Sequence, residues 1–296
     1  MIITRQQDVT DVVVDAMSHA PDNRLRTVMA SFVRHLHAFA RDVRLTEAEF
    51  EFAIDFLNRI GQATNDTHNE AVLFSDAVGL STLVCLLNNG QDGASETAAA
   101  LLGPFWRANA PDMENGASIV RSPTPGPPLF VDCNIRDAHG APIAGARVDI
   151  WQASPTGMYE NQDDGQADMN LRGVFETDAD GRFSFRSVKP AGYPVPTHGP
   201  TGEMLAAQRR HPYRPAHLHV LAYKPGFKTL ITQVFVDHDE HLESDVVFGV
   251  TRALIGDFRK GDGSPPAPDV SGDWFSLNYT FVMEPGEATL PHPPIK

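Results

Sequence analysis

Two histidines stand one residue apart in Arg214-Pro-Ala-His-Leu-His219, within a run that reads as a β-strand. Successive strand side chains point to opposite faces, so His217 and His219 share a face, roughly 6.6 Å apart along the strand. Imidazoles placed in this way can converge on one metal ion. Leu218 and Val220 point the other way, toward a core. Two tyrosines precede them in loop-like settings, Tyr159 in Gly157-Met-Tyr159-Glu-Asn and Tyr193 in Ala191-Gly-Tyr193-Pro. A phenol has a pKa of about 10 and does not ionise unaided at neutral pH. A nearby cation inverts that preference. Phenolate oxygens favour a hard, highly charged ion, and imidazole accepts iron, zinc or copper. Two phenolates with two imidazoles therefore suit Fe(III) better than Zn(II) or Fe(II), and leave a position for water or hydroxide on a five-coordinate ion.

Taken singly, each of these residues has a plainer reading. A lone tyrosine is usually a core or rim residue, and a chain with 12 histidines places some of them close together by chance. His35, His37, His238 and His241 read as surface or packing residues. The run Asp237-His-Asp-Glu-His241 reads as a solvated turn rather than a ligand set. A zinc hydrolase built on His217 and His219 would want a carboxylate or third histidine as ligand, and a general base.

The elements that must position these residues fall into two textures. The first is helical. Leu25, Val28, Met29, Phe32, Leu36 and Phe39 recur at helical spacing. Thr46-Glu-Ala-Glu49 looks like a capping box opening a second helix, with Phe50, Ile54 and Leu57 as its stripe and Gly61 as its stop. A third helical run covers Asn69 to Leu87 and ends at Asn88-Asn-Gly90. At Pro123-Thr-Pro-Gly-Pro-Pro128 the texture changes, as at a domain boundary. Beyond it come short strands: Leu129 to Ile135, Val148 to Ile150, a hairpin of Val174–Thr177 and Arg182–Val188 about Asp178-Ala-Asp-Gly181, then Ala216–Tyr223, Thr229–Val236 and Phe275–Phe281. The expected fold is α+β and mainly β. An antiparallel β-sandwich catalytic domain (123–296) follows a helical N-terminal region (1–122). The Pro-rich tail Pro291-His-Pro-Pro294 either covers something or hangs free.

The chain of 296 residues carries a net charge of −14, which repels phosphate backbones and excludes nucleic acid as a partner. Its longest apolar runs fall far short of a membrane span. Two cysteines, Cys85 and Cys133, give neither a disulfide framework nor a zinc pattern. The first residues lack a charged stretch leading into an apolar one, and a cytoplasmic protein is expected.

The ordered series Tyr159, Tyr193, Arg214, His217, His219 and Gln233 resembles the intradiol ring-cleaving dioxygenases. So do Asp149-Ile-Trp-Gln-Ala, Arg172-Gly173 and Asp178-Ala-Asp-Gly181. The resemblance spans the β-rich portion almost throughout. It implies one non-haem Fe(III) per subunit, with Tyr159, Tyr193, His217 and His219 as ligands. It also implies a catecholate substrate and O2, with Tyr193 leaving the metal to take a substrate proton. Arg214 would stabilise developing negative charge, and Gln233 would position hydroxide or substrate. The family's N-terminal helices form a homodimer interface at which a phospholipid can be bound.

Within the family, Ser75-Asp76-Ala-Val-Gly-Leu-Ser81 and Leu101-Leu-Gly-Pro-Phe105 look most like the group acting on hydroxyquinol (benzene-1,2,4-triol). That group would place Leu73 and Asp76 at the far edge of the substrate. Leu101, Leu102, Gly103, Pro104, Phe105, Val195 and Pro196 would line the ring pocket. Asp76 could accept a hydrogen bond from a third hydroxyl, which catechol lacks. The alternatives are a catechol or chlorocatechol 1,2-dioxygenase using the same iron, and a β-sandwich binding module with incidental tyrosines.

Overall fold

The computed structural model describes residues 2–89 and 97–295. Its packing separates two units, Met1–Asn58 and Arg59–Lys296.

The first unit is helical. Helix α1 (Asp8–Met17) was not foreseen in the sequence. Helix α2 (Asn23–Asp42) starts at Asp22, whose Oδ1 accepts the N–H groups of Arg24 and Leu25 at 2.7 and 3.1 Å. The capping box opens α3 (Glu47–Ala63) as expected. Glu49 Oε2 accepts the Thr46 N–H at 2.8 Å, and Thr46 Oγ1 accepts the Glu49 N–H at 3.3 Å. The helix runs through Gly61 rather than stopping there, since a mid-helix glycine costs only about 1 kcal/mol. The stripe of α2 is not a core face here. Leu25, Val28, Phe32, Leu36 and Phe39 are 44–57% exposed, and Val33 is its only buried residue.

In the second unit, the single helix expected over residues 69–87 is two: α4 (Glu70–Ala77) and α5 (Leu80–Asn89), bent by 77°. Gly79 makes the bend with φ +75°, a conformation that favours glycine. Gly90 lies outside the described residues. The strands follow as β1 (Pro128–Asp137), β2 (Arg147–Trp151), β3 (Arg172–Glu176), β4 (Arg182–Val188) and β5 (Tyr193–Pro194). Helix α6 (Pro200–Ala207) precedes β6 (Tyr213–Arg214), β7 (His217–Tyr223), β8 (Leu230–Val236), β9 (Ile255–Gly256), β10 (Phe258–Lys260) and β11 (Phe275–Met283).

Two sheets result, β10-β11-β1-β4 and β3-β2-β7-β8-β9, and β5-β6 forms a two-stranded ribbon. Most pairs are antiparallel, but β1–β11 and β8–β9 are parallel. The core fills the space between the sheets with Leu129, Val131, Cys133 and Ile135 from β1, Phe183 and Phe185 from β4, and Leu218 and Val220 from β7. The expected hairpin does not form. β3 and β4 belong to different sheets, and Asp178-Ala-Asp-Gly181 carries the chain from one layer to the other. Its turn chemistry is as read, with Asp178 Oδ1 accepting the N–H groups of Asp180 and Arg182 at 2.9 Å each.

Candidate active site

His217 and His219 open β7, with Leu218 turned into the core between them. Their Nε2 atoms lie 3.1 Å apart, with ring planes at 74°. His217 Nδ1 sits 2.7 Å from the carbonyl of Pro215. A carbonyl only accepts, so Nδ1 carries the hydrogen and Nε2 presents a lone pair. Trp151, opposite His219 across β2–β7, stacks on its ring at 4.5 Å and 7°.

Tyr193 is placed by the β5–β6 ribbon, opposite Arg214. Tyr159 follows a turn at Gly157, which has φ +91°. A Cβ on Gly157 would lie 3.3 Å from Tyr193 Cβ, so glycine lets the two tyrosine-bearing loops close on each other. The phenol oxygens stand 3.2 Å apart with the rings edge to face. Phe105 stacks on Tyr159 at 4.6 Å. Behind Tyr159, the buried Glu160 carboxylate accepts Arg172 Nε at 2.7 Å and Arg107 Nη1 at 2.7 Å.

All four side chains are buried. Burial pushes both phenols up, Tyr159 further because Tyr193 lies against it. Burial, with Arg214 close by, pushes His217 down to about 3. Burial and the neighbouring His217 put His219 well below the usual imidazole range. The protein by itself therefore holds two neutral phenols paired through their oxygens and two neutral imidazoles paired through Nε2, with the Tyr193 and His217 rings 5.7 Å apart. His219 Nδ1 is buried with no hydrogen-bond partner. A cation among these atoms offsets the burial of phenolates and takes up the nitrogen lone pairs, so the donor set fits a hard trivalent metal. Among the described residues no group of three or more His, Cys, Asp or Glu side chains converges. A zinc hydrolase on His217 and His219 would need a third such ligand beside them.

Arg214 lies against this set. Its Nε and Nη2 donate to the two Asp245 oxygens at 3.1 and 3.2 Å, and Nη2 also donates to Gln233 Oε1 at 2.9 Å. Its Nη1 stands 3.3 Å from His217 Nε2. Gln233 Nε2 donates to the Leu101 carbonyl at 2.7 Å, so Gln233 links the guanidinium to the 101–105 turn.

A cavity of about 760 Å³ is lined by Asp76, Leu101, Leu102 and Gly103, with Cys85 and the tail residues His292, Pro293 and Pro294. Gly103 brings that wall to His219: a Cβ there would meet His219 Cε1 at 3.5 Å. Leu73 and Val195 pack with Leu101 in one apolar cluster, and Pro196 is half-buried beside Val195. Asp76 is buried, and burial pushes its carboxyl up to about 6 against the pull of Ser81 and Arg214. Pro104 is half-buried between Gly103 and Phe105. Phe105 turns to Tyr159 rather than to this cavity.

Four contributors escaped the sequence reading. Asp245 has no local motif, and its partner is 31 residues away. Val246 and Val247 complete the Leu73 cluster. Trp151 stood inside a quoted motif, but strand alternation alone does not show that it stacks on His219.

The family model described as Dioxygenase matches residues 101–285, and Catechol dioxygenase N terminus matches residues 22–96. The hydroxyquinol 1,2-dioxygenase of Rhizobium sp. (strain MTP-10005) is 43% identical over 92% of this chain and 93% of its own. The 6-chlorohydroxyquinol 1,2-dioxygenase of Cupriavidus pinatubonensis is 41% identical over 95% of this chain and 98% of its own. The solved hydroxyquinol 1,2-dioxygenase of Pseudomonas putida DLL-E4 superposes with a TM-score of 0.86 at 38% identity, covering 95% of this chain and 99% of that one. Two family models laid end to end, full-length relatives and a shared fold leave one assignment: the chain belongs to the intradiol ring-cleaving dioxygenases.

Proposed function

We propose that this dioxygenase cleaves hydroxyquinol between its adjacent hydroxyl-bearing carbons, placing both atoms of O2 in 3-hydroxy-cis,cis-muconate, which tautomerises to maleylacetate. Intradiol dioxygenases are generally non-haem iron enzymes. Here Tyr159, Tyr193, His217 and His219 would hold one Fe(III) per subunit. When bound, Fe(III) draws electron density from a chelated diolate ring and opens it to O2.

The chain's own residues supply the rest. With the metal bound, Tyr193 would be held as a phenolate, and its buried setting, which favours the protonated form, would make its oxygen the acceptor for a substrate hydroxyl proton. Arg214 keeps its positive charge, because Asp245 outweighs the effect of burial. That fixed guanidinium stabilises negative charge developing on the ring and the departing oxygen. Gln233, held between Arg214 and Leu101, positions the hydrolytic oxygen. Leu101, Leu102 and Gly103 border the ring, backed by Leu73 and Val195 in the cluster with Leu101 and by Pro196 beside Val195.

One observation carries the triol over plain catechol: a buried carboxylate, Asp76, on the cavity wall that also holds Leu101 and Gly103. It accepts a hydrogen bond from the third hydroxyl, a partner that catechol does not supply. Oxygen uptake with hydroxyquinol and with catechol tests the reading. A preference of about 10²-fold or more in kcat/KM for the triol is expected; equal turnover removes the triol assignment.

Two copies of the chain associate through the exposed apolar stripe of α2, and an amphipathic lipid lies along the same helices. The dimer, from the N-terminal region 1–122, works in the cytoplasm, where Cys85 and Cys133 remain free thiols. Light scattering gives the oligomeric state, and native mass spectrometry shows any retained lipid. A monomer at micromolar concentration removes the dimer.

A further inference from the structure

Glu70 is the first residue of α4 and is only 1% exposed. A buried carboxylate needs partners for both oxygens. Oε1 accepts the N–H of Thr201 at 2.8 Å, and Oε2 faces His68 Nε2 at 2.5 Å. Thr201 is the second residue of α6, whose N-cap is Gly199 and which has no side-chain cap of its own. Glu70 thus caps α6 from another helix. The approach is close: a Cβ on Gly199 would lie 2.6 Å from Glu70 Oε1.

The other end of α4 is tied to the same segment. Arg210, three residues beyond α6, donates from Nη1 to the Ala77 carbonyl at 2.8 Å and from Nη2 to the Val246 carbonyl at 2.7 Å. Between these two ties, Leu73 packs with Leu205 and Val195. Glu70, Leu73, Asp76 and Ala77 share one buried face of α4, at the spacing of a helical stripe. A rotation of α4 that broke the Glu70 contact would swing Leu73 and Asp76 together.

We propose that Glu70 is a positioning residue that sets the register of α4 on α6 and so fixes Asp76 against the third hydroxyl of the substrate. The proposal rests on the reading of Asp76 given above. It assigns Glu70 no contact with substrate or metal.

The test uses iron-loaded full-length protein with hydroxyquinol and catechol as substrates. Glu70→Ala removes the tie. Glu70→Gln keeps a carbonyl oxygen for Thr201 and an amide for His68. Gly199→Ala pushes the carboxylate away without altering Glu70. In Glu70→Ala and Gly199→Ala the hydroxyquinol-to-catechol ratio of kcat/KM falls about tenfold. The loss appears in KM for hydroxyquinol, while the visible absorption of the iron centre is unchanged. Glu70→Gln returns the ratio to within about threefold of the parent. If Glu70→Ala does not fold, Gly199→Ala decides alone. Variants that keep the ratio, or lose both substrates equally, overturn the proposal while the parent's preference leaves the Asp76 reading standing. A parent enzyme with no triol preference removes that reading first.

Discussion

Arg214 and Asp245 form a two-point ion pair inside the protein, with N–O distances of 3.1 and 3.2 Å and both side chains almost wholly out of solvent. The Asp245 carboxylate also accepts the N–H of Gly249 at 3.0 Å, so its own turn holds it in place. The guanidinium is thereby aimed, with Nη1 toward His217 and Nη2 toward Gln233. Lysine cannot reproduce a planar fork bonded on two sides. Arg214→Lys is expected to lower kcat about 10²-fold in steady-state oxygen uptake. Asp245→Asn should lower it by a smaller factor, because a neutral amide still accepts one of the two bonds. An Arg214→Lys enzyme of normal kcat would remove the guanidinium from the chemistry.

Iron content is the direct measure of the four-donor set. Removing one donor should cost metal affinity at any of the four positions. Tyr159→Phe and His217→Ala are expected to purify with less than about a tenth of the parent's iron by elemental analysis. Chelation of the parent should bleach its visible absorption and lower its Tm, since metal binding to the folded state contributes to stability. Full iron occupancy in both variants would place the metal elsewhere.

Asp76 makes a pH prediction whose sign follows from burial. Its carboxyl titrates near 6 in the folded protein against 3.8 ordinarily. Between those values the folded state keeps a proton that the unfolded chain has lost, so stability falls as pH rises from about 4 through 6. Once ionised, the group costs about 3 kcal/mol. Asp76→Asn is therefore expected to raise Tm at pH 7.5 and to leave it unchanged at pH 3.5. The same variant should lower hydroxyquinol turnover while sparing catechol. A Tm difference independent of pH would show that burial does not raise the Asp76 carboxyl above its ordinary range.

That His217 and His219 share a face was legible from alternation along one strand, whereas Tyr159 and Tyr193, each plain when taken singly, joined them only through the family resemblance. The capping box at Thr46 and Glu49, like the strand alternation, was legible as a local rule. What failed was non-local. The turn at Asp178-Ala-Asp-Gly181 has the chemistry of a hairpin, yet its strands pair with β2 and β1 in opposite layers. Nothing within those residues says which sheet each strand joins. The apolar spacing over residues 69–87 continues across Gly79, so periodicity alone hides the 77° bend. Asp245 sits in a turn with no motif, and only the fold brings it to Arg214.

The tail does cover something. Asn69, which caps α4 through the Val72 N–H, also donates from Nδ2 to the Pro294 carbonyl at 3.5 Å. Ile295 is only 4% exposed, and His292, Pro293 and Pro294 form one side of the cavity that holds Asp76. Burying an isoleucine side chain contributes about 2 kcal/mol, which in a unit of this size corresponds to about 4–8 °C in Tm. A chain ended after Leu290 is therefore expected to melt several degrees lower. With one wall of the cavity gone, its KM for hydroxyquinol should rise severalfold, while the visible spectrum of the iron-loaded protein should not change, since the cavity that the tail borders is not lined by Tyr159, Tyr193, His217 or His219. The two readouts separate the roles: a lower Tm with unchanged KM makes the tail a stabilising strap only, whereas an unchanged Tm contradicts the burial of Ile295.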